Sequence, residues 1–176
     1  MTTETILAGF GGQGILFAGK LLAYLGMNQD KQVSWLPSYG PEMRGGTANC
    51  AVCVGDEPIG SPYVTDPDVL IAMNGPSYDK FIESVKAGGI AIIDSTLVTR
   101  ECTRKDIRSF RIPSTALAAE HGLPGMANII LVGKLLKETG IAVIDAVRPT
   151  LEKIIPPKKA DLIEANMKAL ALGMAL

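Results

Sequence analysis

Apolar and polar positions along the chain follow two periodicities, and these alternate from one segment to the next. Thr5 to Ala8 is a short β-type run and Val33 to Leu36 a second short strand, Val69 to Met73 and Gly89 to Ile93 are apolar runs of the kind buried strands carry, and Ser109 to Ile112 is a weaker final strand. Thr47 to Gly55 reads as a further strand, the third in chain order. Between the first two strands, Ile15, Leu16, Ala18, Leu21, Leu22 and Leu25 recur at helical spacing and define one apolar face. Pro76 suits the first turn of a helix running through Phe81, Ile82 and Val85 to Gly88. Later helices are predicted from Ser114 through Ala119, from about Gly125 to Glu138 with Gly140 as the stop, and over Ile141 to Ile155 and Asp161 to Leu176, the last two split by Pro156-Pro157. The segment Pro37 to Gly46 holds two prolines and three glycines and reads as loop. The charged stretch Arg100 to Arg108 reads as a surface connection.

Strands alternating with helices, with several strands apolar throughout, predict an α/β fold: a three-layer α/β/α arrangement around a mostly parallel or mixed sheet. The 176 residues fit a single domain, 1–176. Lys and Arg total 17 and Asp and Glu 18, for a net charge of −1, so the basic excess of a nucleic-acid binder is missing. Apolar residues at 47% and charged ones at 20% describe a globular chain tilted towards the apolar side, which suggests an interface. Stretches such as Ile129 to Gly133 and Ala169 to Leu176 fall far short of the ~20 residues of a membrane span. Glu4 stands where a secretion signal would be basic and a glycine cluster follows at once, so a cytoplasmic location is expected.

The densest chemistry lies in Gly9-Phe-Gly-Gly-Gln-Gly14, which satisfies G-x-G-x-x-G directly after a strand and at the opening of a helix. Such a Rossmann-like start lets the backbone turn tightly and offers helix N–H groups to a phosphate or pyrophosphate. A tight turn that packs closely and binds nothing is the plainer alternative. A dinucleotide site also needs an acidic residue at the end of the second strand. Here Asp30 precedes that strand and Pro37, Ser38 and Tyr39 follow it, which argues against NAD.

Cys50 and Cys53 form a C-x-x-C, but on a strand residues three apart point to opposite faces, and only Cys102 and His121 remain as further ligands. A structural role is expected for both. His121 lies in a predicted loop with no neighbour to orient it, so no nucleophile–base pair is recognised and no catalytic residue is assigned.

Two more motifs extend the comparison: Ser38-Tyr-Gly-Pro-Glu-Met-Arg-Gly-Gly-Thr47, and Asp56-Glu-Pro-Ile-Gly-Ser-Pro62 after the third strand. With the GFGGQG turn, these closely resemble the gamma subunit of the 2-oxoacid:ferredoxin oxidoreductases, best the 2-oxoglutarate or branched-chain 2-oxoacid type, over nearly the whole chain. The indolepyruvate-type relative is disfavoured, because its corresponding loop usually differs. The resemblance implies a subunit, inactive alone, of an enzyme that oxidatively decarboxylates a 2-oxoacid with coenzyme A to an acyl-CoA and CO2 and passes electrons to ferredoxin. It places thiamine diphosphate, Mg and the iron–sulfur clusters on partner subunits: alpha, beta and, in some complexes, a ferredoxin-like delta.

Within that resemblance, the glycine turn and the Tyr39 to Thr47 loop are expected to follow the C-terminal ends of neighbouring strands and to form one anion cradle for coenzyme A. Gly9, Gly11, Gly12, Gln13, Gly14, Arg44, Gly45, Gly46 and Thr47 are its candidates, with Glu42 orienting the Arg44 guanidinium. The Tyr39 to Thr47 loop reads equally well as an ordered contact with a partner subunit. Asn74, at another strand end, is expected to cap the following helix. Outside the family, the competing reading is a free-standing nucleotide- or phosphate-binding α/β module.

Overall fold

Strands β1 (Thr2–Phe10), β2 (Gln32–Ser38), β3 (Thr47–Gly55), β4 (Val69–Ala72), β5 (Ile90–Asp94) and β6 (Arg108–Ile112) hydrogen-bond into one sheet in the order β2-β3-β1-β4-β5-β6. The computed structural model describes residues 2–38 and 47–176. β1, β4, β5 and β6 pair in parallel, whereas β3 runs antiparallel to both β1 and β2, so the sheet is mixed. The central strands β4 and β5 are buried at every position, which is why they read as unbroken apolar runs.

Helices α1 (Ile15–Met27), α3 (Ser114–Glu120), α4 (Ala127–Thr139), α5 (Val147–Ile154) and α6 (Asp161–Ala175) supply the larger core on one face of the sheet. Leu21, Leu22 and Leu25 of α1 are almost wholly enclosed there, each stabilising the fold by roughly 1.5–3 kcal/mol relative to exposure. Helix α2 (Gly75–Phe81) and the segment carrying Val98 and Ile107 cover the other face through a smaller cluster. The alternation in the sequence is thus resolved into three layers of unequal thickness.

α4 and α6 approach closely because each has a glycine at the contact. A Cβ on Gly133 would lie 2.3 Å from the Leu170 carbonyl oxygen, and one on Gly173 only 1.9 Å from that of Ile130. Ala169 and Leu170 are completely buried, so the apolar C-terminal stretch packs against the chain's own α4. Among the described residues, no helix is long and apolar enough to cross a membrane.

Several boundaries differ from those expected. β2 continues through Pro37 and Ser38, because it lies at the sheet edge, where a missing N–H interrupts no inner ladder. The helix expected to reach Gly88 ends at Phe81 and tightens into a 3-10 turn over Ile82–Ser84. Gly125 has φ +77° and therefore precedes α4 instead of opening it. Residues 141–143 are not helical; after the left-handed stop at Gly140, a 3-10 turn over Ile144–Ala146 leads into α5. Asn74 behaves as expected, its Oδ1 accepting from the Ser77 N–H at 2.7 Å to cap α2.

Candidate functional site

At the C-terminal end of β1 the chain turns through Gly11, Gly12 and Gln13 into α1. Gly12 has φ +94° and Gly14 φ +72°, in the left-handed region that costs other L-residues roughly 1–2 kcal/mol. Among the described residues nothing approaches within 4 Å of where a Gly12 Cβ would be, so this glycine is required for its backbone. Gly14 is required twice over, since a Cβ there would fall 2.4 Å from Asn128 Nδ2. Gly9 serves packing: its missing Cβ makes room for Gln13 Oε1, 2.5 Å away, and for Ile15 Cδ1, 2.9 Å away.

Gln13 uses both ends of its amide inside the protein. Oε1 accepts from the Phe10 N–H at 2.6 Å, and Nε2 donates to the Met73 carbonyl at 3.1 Å, tying the turn to the ends of β1 and β4. The structure therefore makes Gln13 a brace for the loop. Asn128, the second residue of α4, braces it from the other side: its Nδ2 donates to the Gly14 carbonyl at 2.9 Å, an oxygen that also accepts from the Ala18 N–H at 3.0 Å. Asn128 was not among the candidates read from the sequence. Its only signal there is a lone amide at the start of an otherwise apolar helix.

Among the described residues no side chain caps α1, and its first turn carries no acidic residue. The N–H groups of that turn, with the positive end of the helix dipole, are left to whatever lies outside. A hollow of about 280 Å³ lies there, bordered by Phe10, Gly11, Gly12, Gly14 and Phe17. Phe10 pairs with Thr47 across β1 and β3, which brings Thr47 to the same edge. Arg44, Gly45, Gly46 and Glu42 lie outside the described residues. One correction concerns the strands: β1 and β2 are not neighbours, because β3 runs between them, and the glycine turn meets the start of β3 directly.

The cysteines follow the strand reading. Cys50 lies opposite Leu7 on the face packed by α1, and Cys53 opposite Glu4 on the other face. Burial pushes the Cys50 thiol up to about 12, partly offset by a hydrogen bond with Trp35, and burial raises Cys53 too, against a hydrogen bond with Ser34. Neither is placed to act as a thiolate near neutral pH. Among the described residues, no group of three or more His, Cys, Asp or Glu side chains is arranged to hold a metal ion. His121 ends α3 as its C-cap and is exposed.

Residues 4–176 match the pyruvate ferredoxin/flavodoxin oxidoreductase family. Among relatives, the chain is 37% identical to the 2-oxoglutarate synthase subunit KorC of Methanocaldococcus jannaschii, covering 98% of this chain and 92% of that one. It is 38% identical to the ketoisovalerate oxidoreductase subunit VorA of Methanothermobacter thermautotrophicus, covering 95% of this chain but only 35% of that one, so it spans about a third of this relative's length. A solved gamma subunit of a keto/oxoacid ferredoxin oxidoreductase from Geobacter sulfurreducens superposes with a TM-score of 0.82 at 27% identity, over 98% of this chain and 96% of that one. The same fold recurs within 2-oxoglutarate:ferredoxin oxidoreductase from Magnetococcus marinus, with a TM-score of 0.87 at 23% identity, over 99% of this chain and 30% of that one. A family match along almost the whole chain, joined to a glycine turn braced from β1, β4 and α4, makes this chain a member of the pyruvate ferredoxin/flavodoxin oxidoreductase family.

Proposed function

We propose that this chain is a single-domain gamma subunit of a cytoplasmic 2-oxoacid:ferredoxin oxidoreductase, with 2-oxoglutarate as its 2-oxoacid, and that its glycine turn holds the anionic part of coenzyme A. The observation that carries the reading is the N-terminus of α1, uncapped among the described residues, reached through two left-handed glycines and facing a hollow at the C-terminal edge of β1. The near full-length likeness to 2-oxoglutarate synthase subunits supports the choice of acid.

In this reading the work of the chain is binding and orientation. The N–H groups of Gly11, Gly12 and Gly14 and the first turn of α1 converge on a phosphate oxygen, and the site needs no protein cation for that part. Arg44 adds a bidentate fork to a second anionic group, held in register by Glu42, and the Gly45-Gly46 pair lets the backbone approach. The Thr47 hydroxyl lies one strand pairing from Phe10 and donates to the same ligand. Gly9 and Gln13, first read as ligand contacts, act instead by fixing the turn's shape. Decarboxylation and electron transfer belong to thiamine diphosphate, Mg and iron–sulfur clusters on the alpha, beta and ferredoxin-like subunits, and ferredoxin takes the electrons.

Arg44→Ala in the assembled enzyme tests the cradle. A lost charge-assisted hydrogen bond of about 1.5–3 kcal/mol raises KM for coenzyme A roughly 10- to 100-fold with assembly intact. Arg44→Lys recovers only part of this, because the charge remains and the fork is lost. Loss of subunit association with an unchanged KM in the remaining complex assigns the loop to the partner interface instead.

A further inference from the structure

The two faces of the sheet are not covered alike. On the α1 side the core takes in Cys50, Val52 and Val54 of β3. On the α2 side it draws on β1, β4 and β5 and, among the described residues, on nothing from β2 or β3. Helix α2 packs on β1 and β4, so the outer half of that face, over β3 and β2, has no helix of its own among the described residues. A groove of about 410 Å³ lies there, lined by Ile6, Leu36, Asn49, Ala51, Tyr63 and Phe81. The pleat fixes its floor: Ile6 pairs with Ala51 and Ala51 with Leu36, so the three side chains share one row. Charge is absent from this floor. The β2 positions on it are Gln32, Ser34, Leu36 and Ser38, and the β3 positions opposite them add no charged residue, in a chain that is 20% charged. The other edge strand, β6, carries Arg108 and Arg111, the kind of guard a free edge needs. Beside the groove Tyr63, just beyond the Asp56 to Pro62 motif, is 75% exposed. A patch without charges and bordered by aromatic side chains has the composition of a buried protein contact.

We infer that this half-face receives a helix of another subunit of the same oxidoreductase, one whose contacting residues are uncharged and small or apolar. Size selects a helix. From β1 to β2 is two strand spacings, about 10 Å, which matches the distance of about 8–10 Å between packed helices, so one helix beside α2 completes the layer. Small side chains at Ser34 and Ala51 let it approach, and Ile6 and Leu36 give it apolar contact. The relatives select another subunit over a second copy. A domain of this fold makes up 35% of the VorA chain and 30% of the Magnetococcus marinus chain, and so lies among the other parts of a larger oxidoreductase. The inference deepens the proposed subunit role and rests on it for the partner's identity, whereas the docking itself rests on the face.

The test compares the isolated chain with the native complex purified through a tag on it. Hydroxyl-radical oxidation of Tyr63 should fall several-fold from the isolated chain to the complex. Tyr63→Ala should weaken subunit association about 30-fold, as loss of an interface anchor does. Ala51→Glu puts a charge in the middle of the floor and should weaken association about 100-fold or more. Tyr63 is exposed and Ala51 half-buried in the chain alone, so Tm of the isolated variants should stay close to that of the wild type. If Ala51→Glu fails to fold, the Tyr63 variant and the oxidation pattern decide. Equal oxidation of Tyr63 in chain and complex, or wild-type association in Tyr63→Ala, overturns the inference. An isolated chain that is a dimer and becomes a monomer in Ala51→Glu gives the face to a second copy and overturns it too. A complex that reduces a viologen dye with a 2-oxoacid and coenzyme A while Tyr63 remains fully oxidisable defeats the docking surface and leaves the subunit role standing. A complex that protects Tyr63 but reduces no dye with any 2-oxoacid defeats the subunit role and, with it, the identity of the partner.

Discussion

Gly12 and Gly14 offer a controlled comparison, because both lie in the left-handed region and, among the described residues, only Gly14 has a neighbour where its Cβ would be. Gly12→Ala adds a methyl that meets none of the described residues within 4 Å, so its cost is that of the backbone, about 1–2 kcal/mol. Gly14→Ala carries the same backbone cost and also drives a Cβ to 2.4 Å from Asn128 Nδ2. That contact must open, losing the Asn128 bond to the Gly14 carbonyl, about 0.5–1.5 kcal/mol, and adding overpacking of about 1–3 kcal/mol. The total for Gly14→Ala is about 3–6 kcal/mol, a large share of the 5–15 kcal/mol that holds a domain together. In an Asn128→Ala background the obstacle is gone, so Gly14→Ala should cost only the backbone term. Urea unfolding of the wild type, both single variants and the double variant closes the cycle, and a coupling of about 2–4 kcal/mol is expected. Additive costs, with no coupling, would refute the claim that α4 braces the turn through Asn128.

Three further outcomes follow from the same geometry. Gly173→Ala pushes a methyl into the Ile130 carbonyl and should destabilise by about 1–3 kcal/mol or more, whereas Gly60→Ala, with none of the described residues within 4 Å, should stay within about 0.5 kcal/mol by the same denaturation assay. A thiol-specific chromogenic reagent at pH 8 should label the half-buried Cys102 first and reach Cys50 and Cys53 only with unfolding, since burial raises the pKa of both strand thiols. Lys134, 2.8 Å away, holds Glu138 below the usual carboxylate range, with Arg108 adding to the effect. The stabilisation this gives is present above the unfolded value of about 4.3 and is lost as pH falls through the lower folded value. Tm of Glu138→Gln should therefore fall less steeply in that acid range than Tm of the wild type.

Periodicity carried most of the fold, because the strands that matter most are the buried ones. β4 and β5 are apolar throughout and are read at once, and the strand-turn-helix opening is marked by its glycines. What it misplaced were positions decided by neighbours in space. Pro37 is admitted to β2 only because that strand is an edge, which the linear pattern does not state. The order β2-β3-β1, which separates two strands expected to be neighbours, is set by long-range pairing. In the candidate site, the glycines of the turn were legible, but the division of labour among them was not. Gly9 and Gln13 face inward, and that depends on Ile15 and Met73. Asn128 comes to the turn from a separate helix, so no local spacing joins it to the glycines.

The most direct test of the central claim is 2-oxoacid- and coenzyme A-dependent reduction of a viologen dye, under strict anaerobiosis, by the native complex that co-purifies with a tag on this chain. The account predicts dye reduction that requires both substrates, with 2-oxoglutarate the best of a panel of 2-oxoacids. A chain that purifies alone and leaves the dye oxidised with every acid would contradict it and favour a free-standing nucleotide-binding module.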